Sequence, residues 1–202
     1  MLEETSIMFY LAALLTVLIL EVRTELPVRD DCPCVSVQQN FDVEKFMGVW
    51  FLQAQYPEIW GAKSRCYKDE LTLKDNNTIE LVTSKIHEKS GKEHKETVTL
   101  TPAGETNEKE AKFEVNIPTI KMDPPFPFWI VSTDYNSYAI VWSCRELKLK
   151  RNKMSMRRLW LVTRDKKPAD DILEKMHKIV LAQGLDDSHL ELTDNTDCNI
   201  KP

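Results

Sequence analysis

Apolar positions along this chain fall in short runs separated by turn-forming clusters. Runs with strand character occupy positions 49–56, 66–73, 78–85, 96–101, 111–117, 128–133, 138–145 and 154–164. Between them lie Asp75-Asn76-Asn77, Ser90-Gly91-Lys92, Pro102-Ala103-Gly104, Pro124-Pro125 and Asn136-Ser137, residue types that favour turns. Eight strands at this spacing predict an antiparallel all-β sandwich or barrel. No internal repeat, linker or low-complexity stretch divides the chain, so one domain is expected.

Two segments break the strand pattern. Residues 7–20 are apolar apart from Thr16, too short a run to span a bilayer comfortably but suited to a signal-peptide core. Residues 1–24 therefore read as a secretory signal, with an uncleaved anchor as the alternative. Near the other end, Pro168 suits a first helical position. Asp170 and Asp171 favour the positive end of a helix dipole. Ile172, Leu173, Met176, Ile179 and Val180 form one apolar stripe, and Gly184 is the stop. A single helix after eight strands must lay that stripe on the outside of the sheet. Its polar face is mixed in charge rather than basic, which argues against a membrane-surface helix. A short strand at 189–192 and a tail to Cys198 complete the chain.

Composition adds limits. The chain has 202 residues, 42% hydrophobic and 29% charged, enough for one sizeable core. Loss of residues 1–24 removes three acids and one base, moving the net charge from −5 to −3; such a chain carries no nucleic-acid footprint. Five cysteines, Cys32, Cys34, Cys66, Cys144 and Cys198, follow the signal. Secretion makes disulfides their default role, the absence of a CxxC pair argues against zinc, and the odd number leaves one thiol over. No Gly-x-Ser-x-Gly elbow is present. His87, His94, His177 and His189 lack metal-ligand spacing and are expected on loops and the helix. No enzyme, cofactor or metal site is expected. Asn76-Asn77-Thr78 is the one N-x-Ser/Thr sequon without proline, which makes Asn76 a glycosylation candidate on the turn between the second and third strands.

Three motifs give a family resemblance. "NFDVEKFMGVW" (40–50) resembles the first lipocalin signature, with Gly48 and Trp50 as its Gly-x-Trp. "TDYNSYA" (133–139) is similar to the second, with Thr133, Asp134 and Tyr135. Arg164 in "LVTRDKKP" matches the third, a basic residue ending the eighth strand. The cysteines and "CP…NFD" further resemble the subgroup of apolipoprotein D, insecticyanin and bilin-binding protein. The resemblance implies a lipocalin domain over residues 25–202. Its fold would be an eight-stranded antiparallel up-and-down barrel, closed at one end, with the C-terminal helix packed outside. It implies that Trp50 plugs the closed end under Arg164, a cation–π contact. It also implies the disulfides Cys32–Cys144 and Cys66–Cys198, with Cys34 left over and Cys34–Cys144 as the competing pair.

In that register the interior carries the function. Strand side chains alternate between faces, so an inward Trp50 brings Leu52, Ala54 and Tyr56 inward. The family register adds Phe128, Ile130 and Ser132 from the sixth strand, Ala139, Val141 and Ser143 from the seventh, and Arg158, Trp160 and Val162 from the eighth. It leaves Tyr138, Ile140 and Trp142 facing the helix. The ligand-binding candidates are Leu52, Ala54, Tyr56, Phe128, Ile130, Val141, Arg158 and Trp160. An apolar interior with a few polar atoms suits one small hydrophobic ligand: a sterol, fatty acid, retinoid-like molecule or tetrapyrrole. Arg158 would hold a polar or anionic ligand group near the mouth. The open-end loops carry Trp60, Met122, Phe126 and Met154 as apolar tips, and the hairpin 148–158 carries six bases in eleven residues. That hairpin is expected to be a solvated turn, or a weak contact for an anionic membrane surface. The resulting expectation is a secreted, extracellular carrier, monomeric or weakly oligomeric. The alternative is a lipocalin acting through protein–protein or membrane interaction and protection, its cavity filled by bulky side chains.

Overall fold

The computed structural model describes residues 31–57, 63–104, 110–116, 125–149 and 152–198. The expected signal segment 1–24 lies outside them. Eight strands form the barrel: β1 (Gly48–Gln55), β2 (Ser64–Leu73), β3 (Ile79–His87), β4 (Glu93–Pro102), β5 (Lys112–Asn116), β6 (Phe126–Thr133), β7 (Tyr138–Leu149) and β8 (Asn152–Thr163). Each pairs antiparallel with the next, and β1 pairs with both β2 and β8, which closes the ring. A two-residue strand, β9 (Glu191–Leu192), joins the outer side of the seam at Ala54 and Gln55. The chain thus folds as a closed barrel, and closure removes the exposed edges a sandwich would leave. A one-turn helix before the barrel, α1 (Val43–Phe46), is not visible as a hydrophobic period; Asp42 caps it by accepting from the Lys45 amide. The main helix, α2 (Asp170–Ala182), begins two residues after Pro168.

Two apolar clusters share the barrel wall. One fills the closed half of the interior around Phe46, Trp50, Leu71, Ile79 and Leu100. The other lies between the outer wall and α2, where Met176 and Val180 bury against Tyr138, Ile140, Trp142, Leu159 and Leu161. The seventh strand therefore serves both: Ala139 and Val141 face in, Tyr138, Ile140 and Trp142 face the helix.

The closed end is built around Trp50. Its ring lies 3.7 Å below the Arg164 guanidinium. Its indole N–H donates to the Phe46 carbonyl. Arg164 in turn donates to the carbonyls of Tyr135, Val49, Lys45 and Phe46 at 2.8–3.3 Å. One side chain so ties α1, the start of β1 and the β6–β7 turn together. Gly48 has φ +96°, and a Cβ there would come within 3.3 Å of the guanidinium. The left-handed backbone strongly favours glycine there, and a side chain would have to push the guanidinium by a few tenths of an ångström. In the β6–β7 turn, Asp134 accepts from the amides of Asn136, Ser137 and Tyr138. Burial raises its pKa, but those three donors outweigh it and hold the carboxyl below the ordinary range. Tyr135 takes φ +67°, and its hydroxyl accepts from the Asp42 amide.

Disulfides fasten the segments that flank the barrel to its wall. Cys32 bonds Cys144 on β7, and Cys66 on β2 bonds Cys198 in the tail. Cys34 is free and exposed. Arg164→Lys should cost about 2 kcal/mol in denaturant unfolding of the oxidised protein. A single ammonium leaves most of those carbonyls without their charged donor. A loss below about 0.5 kcal/mol would show that the floor does not depend on the guanidinium.

Candidate ligand-binding site

A chamber of about 380 Å3 runs from the Trp50 floor to the open end at Tyr56 and Arg158. Of the candidate residues, Leu52, Phe128, Val141, Arg158 and Trp160 line it, and Tyr56 borders its rim. The Phe128 and Trp160 rings stand 6.3 Å apart against one side. Ser143 and Val162 also face the chamber, as alternation from Val141 on β7 and Trp160 on β8 requires.

Two β-bulges correct the inward assignment. In β1 the register slips between Leu52, opposite Val162, and Ala54, opposite Leu161. The extra residue reverses the faces from there on. Ala54 is consequently buried in the cluster under α2, outside the wall, and Gln55 takes the inward place. Tyr56 turns outward as well. Its ring packs edge-on to Trp142, and its hydroxyl donates to the Asp186 carbonyl at 2.5 Å. Burial first, then the Asp186 charge, pushes that phenol up to about 12, so it remains a donor at neutral pH. In β6 the slip falls between Ile130 and Ser132. Ser132 leaves the interior to bond the outward Tyr138 hydroxyl. Ile130 stays inside but is fully buried in packing and does not line the chamber. The leader explains this, since Gln38 donates to the Ile130 carbonyl and seals that side.

The mouth differs from expectation too. Arg158 is exposed, its guanidinium 5.4 Å from the Phe126 ring centroid, with Arg145 at 5.0 Å from the same ring. Arg157 is engaged by the leader, donating to the Asp31 carbonyl. His87 and His94 are strand residues on β3 and β4, their rings 5.7 Å apart at the open end. Met154 is half-buried. Trp60 and Met122 lie outside the described residues, as do Lys150 and Arg151 of the basic hairpin. The Asn76 turn is a short 3-10 helix (Asp75–Asn77) between β2 and β3, at the closed end. Among the described residues no group of His, Cys, Asp and Glu is arranged to hold a metal ion. No described helix is long and apolar enough to cross a membrane.

A polar wall across β2, β3 and β4 escaped the candidate set. Asp69, Thr83 and Glu96 are successive ladder partners, and all face the chamber. Thr83 Oγ1 donates to Asp69 Oδ1 at 2.6 Å. Lys85, two residues farther along β3, sits 5.2 Å from the Tyr67 ring centroid. Trp50 is the ladder partner of Asp69 on its other side, so this carboxyl lies low in the barrel. Period-2 alternation through Leu71, Asp69 and Tyr67 carries the signal, but polar residues at inward positions read as solvent-facing ones.

Burial pushes the Asp69 carboxyl up to about 6, against the Thr83 hydrogen bond and the Lys85 charge. The folded state therefore holds this proton more tightly than the unfolded chain. The stability it contributes is complete below the ordinary pKa of 3.8 and is lost as pH rises through 6. Asp69→Asn should remove this loss. The variant should gain on the order of 1–3 kcal/mol relative to wild type between pH 4 and pH 7 in urea unfolding. A difference independent of pH would overturn the assignment.

The profile of the Lipocalin / cytosolic fatty-acid binding protein family matches residues 47–197. Apolipoprotein D of Mus musculus is 27% identical over 168 residues, covering 83% of this chain and 84% of that protein. The Lazarillo protein of Schistocerca americana is 24% identical over 147 residues, covering 72% and 65%. In fold, insecticyanin from the tobacco hornworm Manduca sexta superposes with a TM-score of 0.68 at 19% identity, over 81% of this chain and 86% of that one. Lobster apocrustacyanin A1 gives 0.60 at 19% identity, over 74% and 77%. With three signatures seated on one closed barrel and a profile match over most of the chain, the protein belongs to the lipocalin family.

Proposed function

We propose that the protein is a secreted carrier that binds one small hydrophobic ligand inside the barrel. The carrying observation is the chamber itself. Its volume of about 380 Å3 lies within the range of small-molecule sites. Leucines, valines and aromatic rings make most of its wall, which favours an apolar body by removing its surface from water. The bulky Phe128 and Trp160 stand to one side and leave the space open, which supports a carrier over a barrel with a filled interior. The family's members are typically carriers of small hydrophobic ligands, and the two disulfides suit an extracellular setting.

The ligand enters with its apolar body first and leaves a polar or anionic group at Arg158. Because Arg158 is exposed at the rim, water shares that contact and its contribution is small. Arg158→Ala should weaken a fatty acid by about 1 kcal/mol, roughly fivefold, and spare the matching alcohol, read by quenching of Trp160. Native mass spectrometry of the protein secreted from its own tissue should give the barrel plus one hydrophobic small molecule. A ligand-free mass that no added lipid shifts would end the carrier reading.

A further inference from the structure

The lower chamber is not uniformly apolar, and Asp69 brings a carboxyl to it that a cross-strand hydrogen bond from Thr83 anchors. Asp69 faces the cavity beside Trp50, Leu71 and Leu81. Thr83 fixes one of its oxygens. A carboxylate offers about four lone-pair positions, so acceptor capacity remains toward the chamber. We propose that Asp69, positioned by Thr83, accepts a hydrogen bond from a hydroxyl at the buried end of the ligand, so that the barrel selects an ω-hydroxylated apolar chain over the unsubstituted one. This rests on the carrier reading above and names the ligand class for it.

The chemistry of the wall decides among possible end groups. A carboxylate entering first would meet Asp69 as a like charge in a site of low polarity, which is costly. A cation would compete with Lys85, already the positive charge acting on Asp69. A methyl end would displace water from the carboxyl's remaining acceptor positions and replace none of those hydrogen bonds, the situation that makes a polar site reject an analogue lacking the matching group. An uncharged hydroxyl donates to Asp69 and meets none of these penalties. The geometry also separates the two ligand ends. Arg158 at the rim and Val162 near the floor are four residues apart on β8, about 13 Å at the rise of a strand. A chain with an acid group at one end and a hydroxyl at the other fits that polarity: anion at the mouth, donor at the floor.

The test measures dodecanoic and hexadecanoic acids and their ω-hydroxy counterparts against the full oxidised chain, by Trp quenching and native mass spectrometry. In wild type the hydroxy acid of at least one length should bind fivefold or more tightly than its unsubstituted partner. Asp69→Leu should abolish or invert that preference while still binding the unsubstituted acid. Asp69→Asn, which keeps an acceptor oxygen, should retain part of it, and Thr83→Val should weaken it without removing it. Equal affinities in wild type, or a preference that survives Asp69→Leu, would overturn the role of Asp69 and leave the carrier reading intact. Failure of all four compounds to bind wild type would overturn this ligand class, whereas the carrier reading falls only when no added lipid of any class shifts the native mass.

Discussion

The Arg164 guanidinium over Trp50 sets the geometry from which the rest of the barrel follows. The indole closes the bottom, and the guanidinium covers it while satisfying carbonyls from α1, β1 and the β6–β7 turn. Those carbonyls belong to segments that strand pairing alone would leave loosely joined. A planar cation with a fork of donors meets them all from one side chain. The left-handed glycine at 48 and the left-handed Tyr135 are local costs accepted so that this group seats. With the floor fixed, the cavity has a defined depth, and a ligand has something to stop against.

Most of the architecture was legible because it rests on alternation. A polar break between apolar runs means the same thing wherever it occurs, so eight strands, their order and the outer helix could be placed. The floor residues Gly48, Trp50, Thr133, Asp134, Tyr135 and Arg164 were legible as motifs, since each needs a particular residue type for a particular contact. The interior was less so. Alternation holds only while the ladder is regular, and a bulge at Gln53 or Val131 leaves no mark in composition. One unseen slip moved Ala54 and Tyr56 across the wall, and another moved Ser132. Asp69 was missed for a different reason. Sequence patterning assigns a carboxylate to water, and a hollow barrel is the circumstance in which an inward polar residue need not be an error of packing.

The cavity is thereby divided in character. Its β1–β6–β7–β8 side is mostly aromatic and aliphatic, Gln55, Ser143 and the rim arginines apart, while β2–β4 sets Asp69, Thr83, Lys85 and Glu96 among Leu71, Leu81 and Val98. For a bound molecule, as proposed, the apolar side would supply most of the transfer free energy and discriminate little among molecules of similar size. The polar side contributes less energy and more selectivity, because desolvating it without a matching partner is costly.

The cystines place a demand on the order of events during synthesis. Cys32 precedes Cys144 by 112 residues, and Cys66 precedes Cys198 by 132. At ribosomal rates of about 5–20 residues per second, each early cysteine waits on the order of 10 s for its partner. Throughout that interval Cys34 stands two positions from Cys32, a thiol with no partner of its own. The seam strand β1 likewise waits for β8, so the first correct cross-link waits for residue 144, ring closure for residues 152–163 and the second cross-link for residue 198. Whatever compartment makes this barrel must hold early thiols reduced, or exchange their first bonds, until the carboxyl-terminal tail arrives.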